Sequence, residues 1–234
     1  MKNPTHLFLY IITALYLGAH FIPDFGGADV MGAQWLYTSV IDALVLAFIF
    51  FQRNLYSEAI KAVFSQKFSL LYTFYFVWAI ISVGYAINPT EAIVCLARLA
   101  STFFIYTNFA ILLYKKDIKS YYLPISVFIS LVLFYDSITV ISSFTKNAKT
   151  MLLDQNILSL MGKNGNKNVM AASLLIKFPF ALLVVLRSKF VGRVLGIFIL
   201  FFGSFALFIL NTRSTFVGLF LILSIFAAST IYFK

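Results

Sequence analysis

Long apolar runs recur along the whole chain, and each is long enough to cross a bilayer as an α-helix. Short polar or turn-forming stretches separate them, such as Gly26-Gly27 and Asn88-Pro89-Thr90, because such residues stop helices or resist burial in hydrocarbon. The pattern predicts eight membrane helices, near residues 5–22, 34–51, 68–87, 91–114, 121–144, 168–186, 191–210 and 213–233. The predicted fold class is an all-α polytopic transmembrane helix bundle, forming one domain over residues 1–234.

The composition agrees with this pattern and excludes several functions. Apolar residues make up 62% and charged residues 11%, well beyond the roughly half-apolar mix of soluble domains. The net charge is +10, but the sequence shows no basic cluster interleaved with aromatic residues on a soluble face. Nucleic acid is therefore not an expected partner. Cys95 is the only cysteine, and His20 has no second ligand at metal-binding spacing, so neither a metal nor another cofactor is expected.

The basic residues predict the orientation of the helices, because cytoplasmic loops retain Lys and Arg. With the N-terminus inside, the cytoplasmic side holds Lys2, Arg53, Lys61, Lys67, Lys115, Lys116, Lys119, Arg187, Lys189, Arg193 and Lys234. The outer side holds Lys146, Lys149, Lys163, Lys167 and Arg213. Both termini are therefore predicted to be cytoplasmic.

The outer connection 145–167 departs from this rule, since it carries four of those lysines and Asp154 is its only acid. One interpretation is that this connection attracts an anion. The other is a solvated loop, or one that lies on acidic lipid headgroups.

Four ionisable residues fall inside the predicted membrane helices, where each is costly unless it is paired, hydrated or facing a polar cavity. They are Asp42, Arg98, Asp136 and Lys177. Counted from the outer helix ends, all four lie roughly 10–14 Å below the outer surface, at about 1.5 Å per residue. Two acids and two bases are thus predicted to share one layer.

Positions at helical spacing place these charges on polar faces of three helices. These positions are Glu91, Cys95, Arg98 and Thr102 with Ser101 and Asn108 beside them, then Asp136, Thr139 and Ser143, and finally Asn166, Met170, Ser173 and Lys177. One hypothesis is an outward-open cavity in which Arg98 and Lys177 hold an anionic group. The alternative is a pair of internal clasps, Arg98 with Asp136 and Lys177 with Asp42, that only fix helix packing.

Arg213 lies in the tight outer turn that begins the last helix. Helix N-termini favour anions, and the Arg213 guanidinium with the hydroxyls of Ser214 and Thr215 is suited to grip a phosphate. The alternative is an interfacial arginine that extends to lipid headgroups.

Two stretches resemble the O-antigen ligase and polymerase superfamily of bacterial polytopic membrane proteins. Gly165-Asn166-Lys167-Asn168-Val169-Met170-Ala171-Ala172 is similar to that family's Asn-rich segment, which opens a helix after an outer loop. Leu210-Asn211-Thr212-Arg213-Ser214-Thr215 is similar to its Ser/Thr-Arg-Ser/Gly turn about forty residues later. The resemblance covers mainly residues 145–233.

The resemblance implies glycan transfer from an undecaprenyl-pyrophosphate carrier to lipid A core or another glycan acceptor, at the outer face of the bacterial inner membrane, as in lipopolysaccharide biosynthesis. It implies that Arg213 holds the donor pyrophosphate, with Arg98 as a second cation. The candidate substrate-binding residues are Arg213, Arg98, Lys177, Asn166, Asn168 and Ser214.

Family members continue into a large outer loop with a catalytic histidine, so this chain is expected to be the N-terminal portion of a longer enzyme. Neither His6 nor His20 matches that histidine, so the catalytic residue is unknown. A secondary transporter or flippase with an intramembrane charged site is the alternative function, and a noncatalytic membrane scaffold is a third.

Overall fold

The computed structural model describes residues 4–23, 25, 31–117, 119–150, 152–160 and 166–232, which are helical and contain no strand. The helices are α1 (Pro4–Gly18), α2 (Gly32–Phe51), α3 (Arg53–Phe64), α4 (Lys67–Val83), α5 (Pro89–Leu112), α6 (Lys119–Asn147), α7 (Leu153–Ser159), α8 (Lys167–Arg187), α9 (Phe190–Leu210) and α10 (Arg213–Tyr232). A short 3₁₀ helix, Ala19–Phe21, follows α1. The predicted all-α class is confirmed.

A helix overlaps each of the eight predicted membrane segments, but these helices differ in length and apolar character. Within the described residues, α2, α5, α6, α8 and α9 are long and apolar enough to span a bilayer. The apolar stretches in α1 and α10 are shorter, and α4 follows α3 across a bend of 86°. A membrane-spanning helical protein is therefore supported, while the count of eight spans and the cytoplasmic termini stay predictions.

Two helices lie in segments that were predicted as connections. The first, α3, buries Ala59 and Val63 on one face and exposes Arg53 and Lys61 on the other. Such an amphipathic helix lacks the continuous apolar run by which the membrane helices were located. The second, α7, is only seven residues long.

The chain forms two compact units. In the N-terminal unit, Met1–Phe25 with Gly32–Ile118, helix α5 packs against α2, α3 and α4, and α1 packs against α2. Aromatic rings fill the contact between α4 and α5, where Phe76 stacks on Phe103 with ring centroids 4.7 Å apart. Nearby, Tyr106 and Ser69 share a hydrogen bond of 2.8 Å.

In the C-terminal unit, Gly26–Met31 with Lys119–Lys234, helix α8 packs against α6, α9 and α10. Its buried face is formed by Ala171, Leu174, Phe178 and Ala181. A Cβ on Gly203 of α9 would lie 3.0 Å from the Phe178 ring, so the missing side chain lets α9 approach α8 closely.

Candidate functional site

Each unit contains a buried carboxylate in a helix that the sequence places inside the membrane. Asp42 of α2 is 3% exposed and Asp136 of α6 is 2% exposed. A buried carboxylate needs hydrogen-bond donors or a counter-charge to offset its lost hydration. The two residues obtain these in different ways.

Asp42 is held by hydroxyl groups from two other helices. The Tyr16 hydroxyl of α1 donates to Asp42 Oδ1 at 2.7 Å, and the Ser101 hydroxyl of α5 donates to Oδ2 at 2.8 Å. Asn108 Nδ2 in turn donates to the Tyr16 oxygen at 3.0 Å, which directs the phenolic hydrogen toward Asp42. The network joins α1, α2 and α5 through neutral donors.

A cavity of about 270 Å³ lies between α2 and α5 beside this network. Asp42, Ser39 and Ser101 contribute polar groups to its lining, and the remaining lining residues are Ala43, Leu46, Ala97, Ala100 and Phe104. Two sides of the Asp42 environment are therefore distinct: one is closed by Tyr16 and Asn108, and the other borders an open space.

Asp136 is paired with a cation. Lys177 Nζ of α8 donates to Asp136 Oδ2 at 2.9 Å, and also to the Ser173 carbonyl at 3.0 Å and the Ser173 hydroxyl at 2.7 Å. An ammonium group has three N–H donors, and these three hydrogen bonds within the unit use all of them. This arrangement favours the clasp interpretation for Lys177, in which the pair fixes α6 against α8.

The partner predicted for Lys177 was wrong, however, since Asp42 was expected and Asp136 is observed. Depth along a helix can be estimated from sequence, but neighbouring helices cannot, and α6 and α8 pack directly on each other. Arg98 lies half-buried in α5, and its predicted roles in pairing with Asp136 or in binding an anion stay predictions.

The Asn-rich segment forms the start of α8. Asn166 is the N-cap residue, and its side-chain oxygen accepts a hydrogen bond of 2.8 Å from the backbone N–H of Asn168. Asparagine is favoured at this position because it satisfies a helix N–H that has no backbone partner. Both side chains are exposed, while Gly165 and Lys163 lie outside the described residues.

The second motif forms the turn between α9 and α10. Asn211 ends α9 in the left-handed conformation, with φ 47°, which asparagine tolerates better than most residues. The hydroxyls of Thr212 and Thr215 are buried and hydrogen-bond to each other. Thr215 therefore faces inward, contrary to its predicted contact with a phosphate, while Arg213 and Ser214 are exposed.

The starts of α8 and α10 lie at the same end of the C-terminal unit, because α9 runs back between them through two short turns. Gly218 of α10 packs on Leu175 of α8. At about 1.5 Å per residue, Arg213 lies roughly 7 Å and Lys167 roughly 12 Å from that contact, each toward the start of its own helix. Lys177 lies about 3 Å on the other side of it, so the ion pair with Asp136 is farther than Arg213 from this end of the unit.

The connection before α8 is partly ordered by contacts with α6. Asn156 of α7 is buried and donates from Nδ2 to the Phe144 carbonyl at 2.9 Å, and Asn147 donates to the Ser159 hydroxyl at 3.0 Å. Lys146 and Lys149 are exposed. The side chain of Asp154 lies outside the described residues, so the predicted attraction of an anion stays a prediction.

Sequence reasoning missed Tyr16, which completes the Asp42 network. A tyrosine within an apolar run is typical of a core or interfacial position, and nothing local marks it as a hydrogen-bond donor to a carboxylate. Ser101 and Asn108 were identified as polar positions of α5, and the signal for the network was their spacing of seven residues on one helix face.

Comparisons with protein-family models, with curated proteins and with solved structures each found no match. The resemblance to the O-antigen ligase superfamily therefore depends on the two sequence motifs alone.

Proposed function

We propose that this chain binds an undecaprenyl-pyrophosphate-linked glycan and takes part in its transfer to a lipid or glycan acceptor at the outer face of the bacterial inner membrane. The observation that supports this best is the shared end of α8 and α10. There the exposed Arg213 and Ser214 begin one helix, and the exposed amides of Asn166 and Asn168 begin its neighbour.

The chemistry of glycan transfer suits these groups. A departing pyrophosphate gains negative charge in the transition state, and a guanidinium held at a helix N-terminus stabilises that charge. The planar fork of arginine binds two phosphate oxygens at once. In this proposal Arg213 and Ser214 hold the pyrophosphate, and the Asn166 and Asn168 amides hydrogen-bond the donor beside it.

Of the two intramembrane cations, Lys177 has a supporting role in the proposal. Because the ammonium of Lys177 is saturated by Asp136 and Ser173, it supports the site by holding α6 against α8. Arg98 belongs to the N-terminal unit, and its role as a second cation stays a prediction from the resemblance.

The test is direct binding of undecaprenyl pyrophosphate to the full chain in detergent micelles, measured by microscale thermophoresis. Arg213→Ala is expected to weaken binding at least about tenfold, because a charge-assisted hydrogen bond contributes roughly 1.5–3 kcal/mol. The matched control is Arg187→Ala, which removes an exposed arginine from the opposite end of α8. Equal binding by wild type and Arg213→Ala refutes the site, as does equal loss in both variants.

A second candidate function, a transporter or flippase, is favoured by one observation: the buried Asp42 borders the cavity between α2 and α5. Intramembrane acids beside such spaces are typical of proton or substrate pathways. This candidate predicts that Asp42→Asn blocks movement of a fluorescent lipid-linked glycan across vesicle bilayers, while Arg213→Ala leaves that movement unchanged.

A further inference from the structure

A second cavity, of about 290 Å³, lies in the N-terminal unit where α1 begins and where α2 and α5 end. Its lining is apolar and aromatic except for Lys116 and the Tyr56 hydroxyl, and comprises Phe8, Leu9, Phe48, Leu55, Tyr56, Leu112 and Lys116. Phe8 and Phe48 pack with ring centroids 4.5 Å apart. The cavity therefore combines a hydrocarbon-like wall with a single cationic side chain.

The two consecutive lysines after α5 differ in their partners. Lys115 Nζ donates to Glu58 Oε1 of α3 at 2.6 Å, so its charge is matched. Lys116 is half-buried in the cavity lining, and within the described part of the chain its ammonium has no hydrogen bond or ion pair. A cation that faces an apolar cavity without a counter-charge is suited to an anion.

Helix α3 places this cavity at the level of lipid headgroups. It begins two residues after the membrane helix α2 ends and is bent by 86° from α4. Its buried residues, Ala59 and Val63, are apolar, and its charged residues Arg53, Glu58 and Lys61 are exposed. A helix with this division is typical of the membrane interface.

The surroundings of the cavity are basic, which adds long-range attraction for an anionic lipid. The basic residues in α3, at the start of α4 and just after α5 are Arg53, Lys61, Lys67, Lys115 and Lys116. The acids in the same segments are Glu58 and Asp117. In the predicted topology this end of the unit faces the cytoplasm, where anionic lipids give the leaflet a negative surface potential.

We propose that this cavity binds an anionic glycerophospholipid of the cytoplasmic leaflet, with an acyl chain between Phe8, Phe48 and Leu55 and the phosphate on Lys116. The apolar lining favours a lipid chain over a soluble anion, because burial of hydrocarbon drives its insertion. Lys116 favours an anionic lipid over a zwitterionic one. The proposal is independent of the Arg213 site and of glycan transfer.

The test is native mass spectrometry of the full chain released from detergent micelles, with added palmitoyl-oleoyl phosphatidylglycerol or with phosphatidylcholine of the same acyl chains. Lys116→Gln is expected to weaken phosphatidylglycerol binding about fivefold, and Lys116→Arg to retain it. Lys115→Gln is the matched control, because it removes the same charge one residue away and is expected to leave binding within about twofold. Leu55→Trp, which narrows the cavity, is expected to weaken binding of both lipids.

Three results would overturn the proposal. Equal losses in Lys116→Gln and Lys115→Gln would show a diffuse electrostatic attraction without a site. Equal binding of phosphatidylglycerol and phosphatidylcholine would remove the role of Lys116. Displacement of bound phosphatidylglycerol by stoichiometric undecaprenyl phosphate would assign the cavity to a polyprenyl carrier.

Discussion

The two units satisfy a buried carboxylate in opposite ways. In the C-terminal unit Asp136 faces the Lys177 ammonium, which has no donor left for another group. In the N-terminal unit Asp42 accepts hydrogen bonds from the Tyr16 and Ser101 hydroxyls, and it borders a cavity. The first arrangement is a closed, charge-neutral contact between two helices, whereas the second leaves a carboxyl group beside a space.

This difference separates the roles that two membrane acids can have. A saturated ion pair in hydrocarbon is costly to break and offers little to a ligand, so it is suited to fixing helix packing. A carboxyl group held by hydroxyls can change its protonation without leaving a cation unmatched. The comparison predicts that identical substitutions at the two positions have unequal effects.

The largest effect is expected from Asp136→Asn, because it leaves the Lys177 ammonium inside the bilayer without a counter-charge. Breaking a buried pair by removing one partner costs about 3–5 kcal/mol of unfolding free energy. The measurement is unfolding of the purified chain in mixed micelles. The double variant Asp136→Asn with Lys177→Met is the control and is expected to recover most of the loss. A double variant no more stable than the single one would show that the charge of Lys177 is not the cause.

A smaller effect is expected from Asp42→Asn, since an asparagine oxygen still accepts one of the two hydroxyl hydrogen bonds. The expected cost is about 1 kcal/mol, the net contribution of one hydrogen bond. The same micelle unfolding assay measures it, with Tyr16→Phe as a companion that removes the other end of the Asp42–Tyr16 bond. If Asp42→Asn costs as much as Asp136→Asn, Asp42 must offset a cation, and the contrast between the units fails.

The sequence predicted the positions of the long apolar helices well, because their apolar runs are continuous along the chain. It missed α3, whose apolar residues lie on one face only, and Tyr16, whose hydroxyl matters through helices far away in sequence. It also assigned the wrong acid to Lys177. The position of a residue along its helix follows from counting residues. The identity of neighbouring helices depends on packing that no local pattern contains.

The start of α10 shows the same division between local and tertiary information. Arg213, Ser214 and Thr215 were all expected to face an anion, and the structure exposes the first two only. Thr215 is turned inward because its hydroxyl completes the turn with Thr212. The helix start was predictable from composition, whereas the direction of each hydroxyl follows from how the turn is closed.

The smallest effect is expected at the exposed ion pair of Lys115 and Glu58, which extends the comparison from buried to solvated charges. Glu58 raises the pKa of Lys115 above its ordinary value through a hydrogen bond and its charge, so any stabilisation is present below the unfolded pKa and is lost as pH rises through the folded one. Because both side chains are largely exposed, solvent screens the pair. Lys115→Met is therefore expected to leave the micelle unfolding midpoint at pH 7 unchanged within error. A midpoint that falls as far as in Asp136→Asn would mean that the micelle interface desolvates this pair. Burial by protein would then not be what distinguishes it from the pair of Lys177 and Asp136.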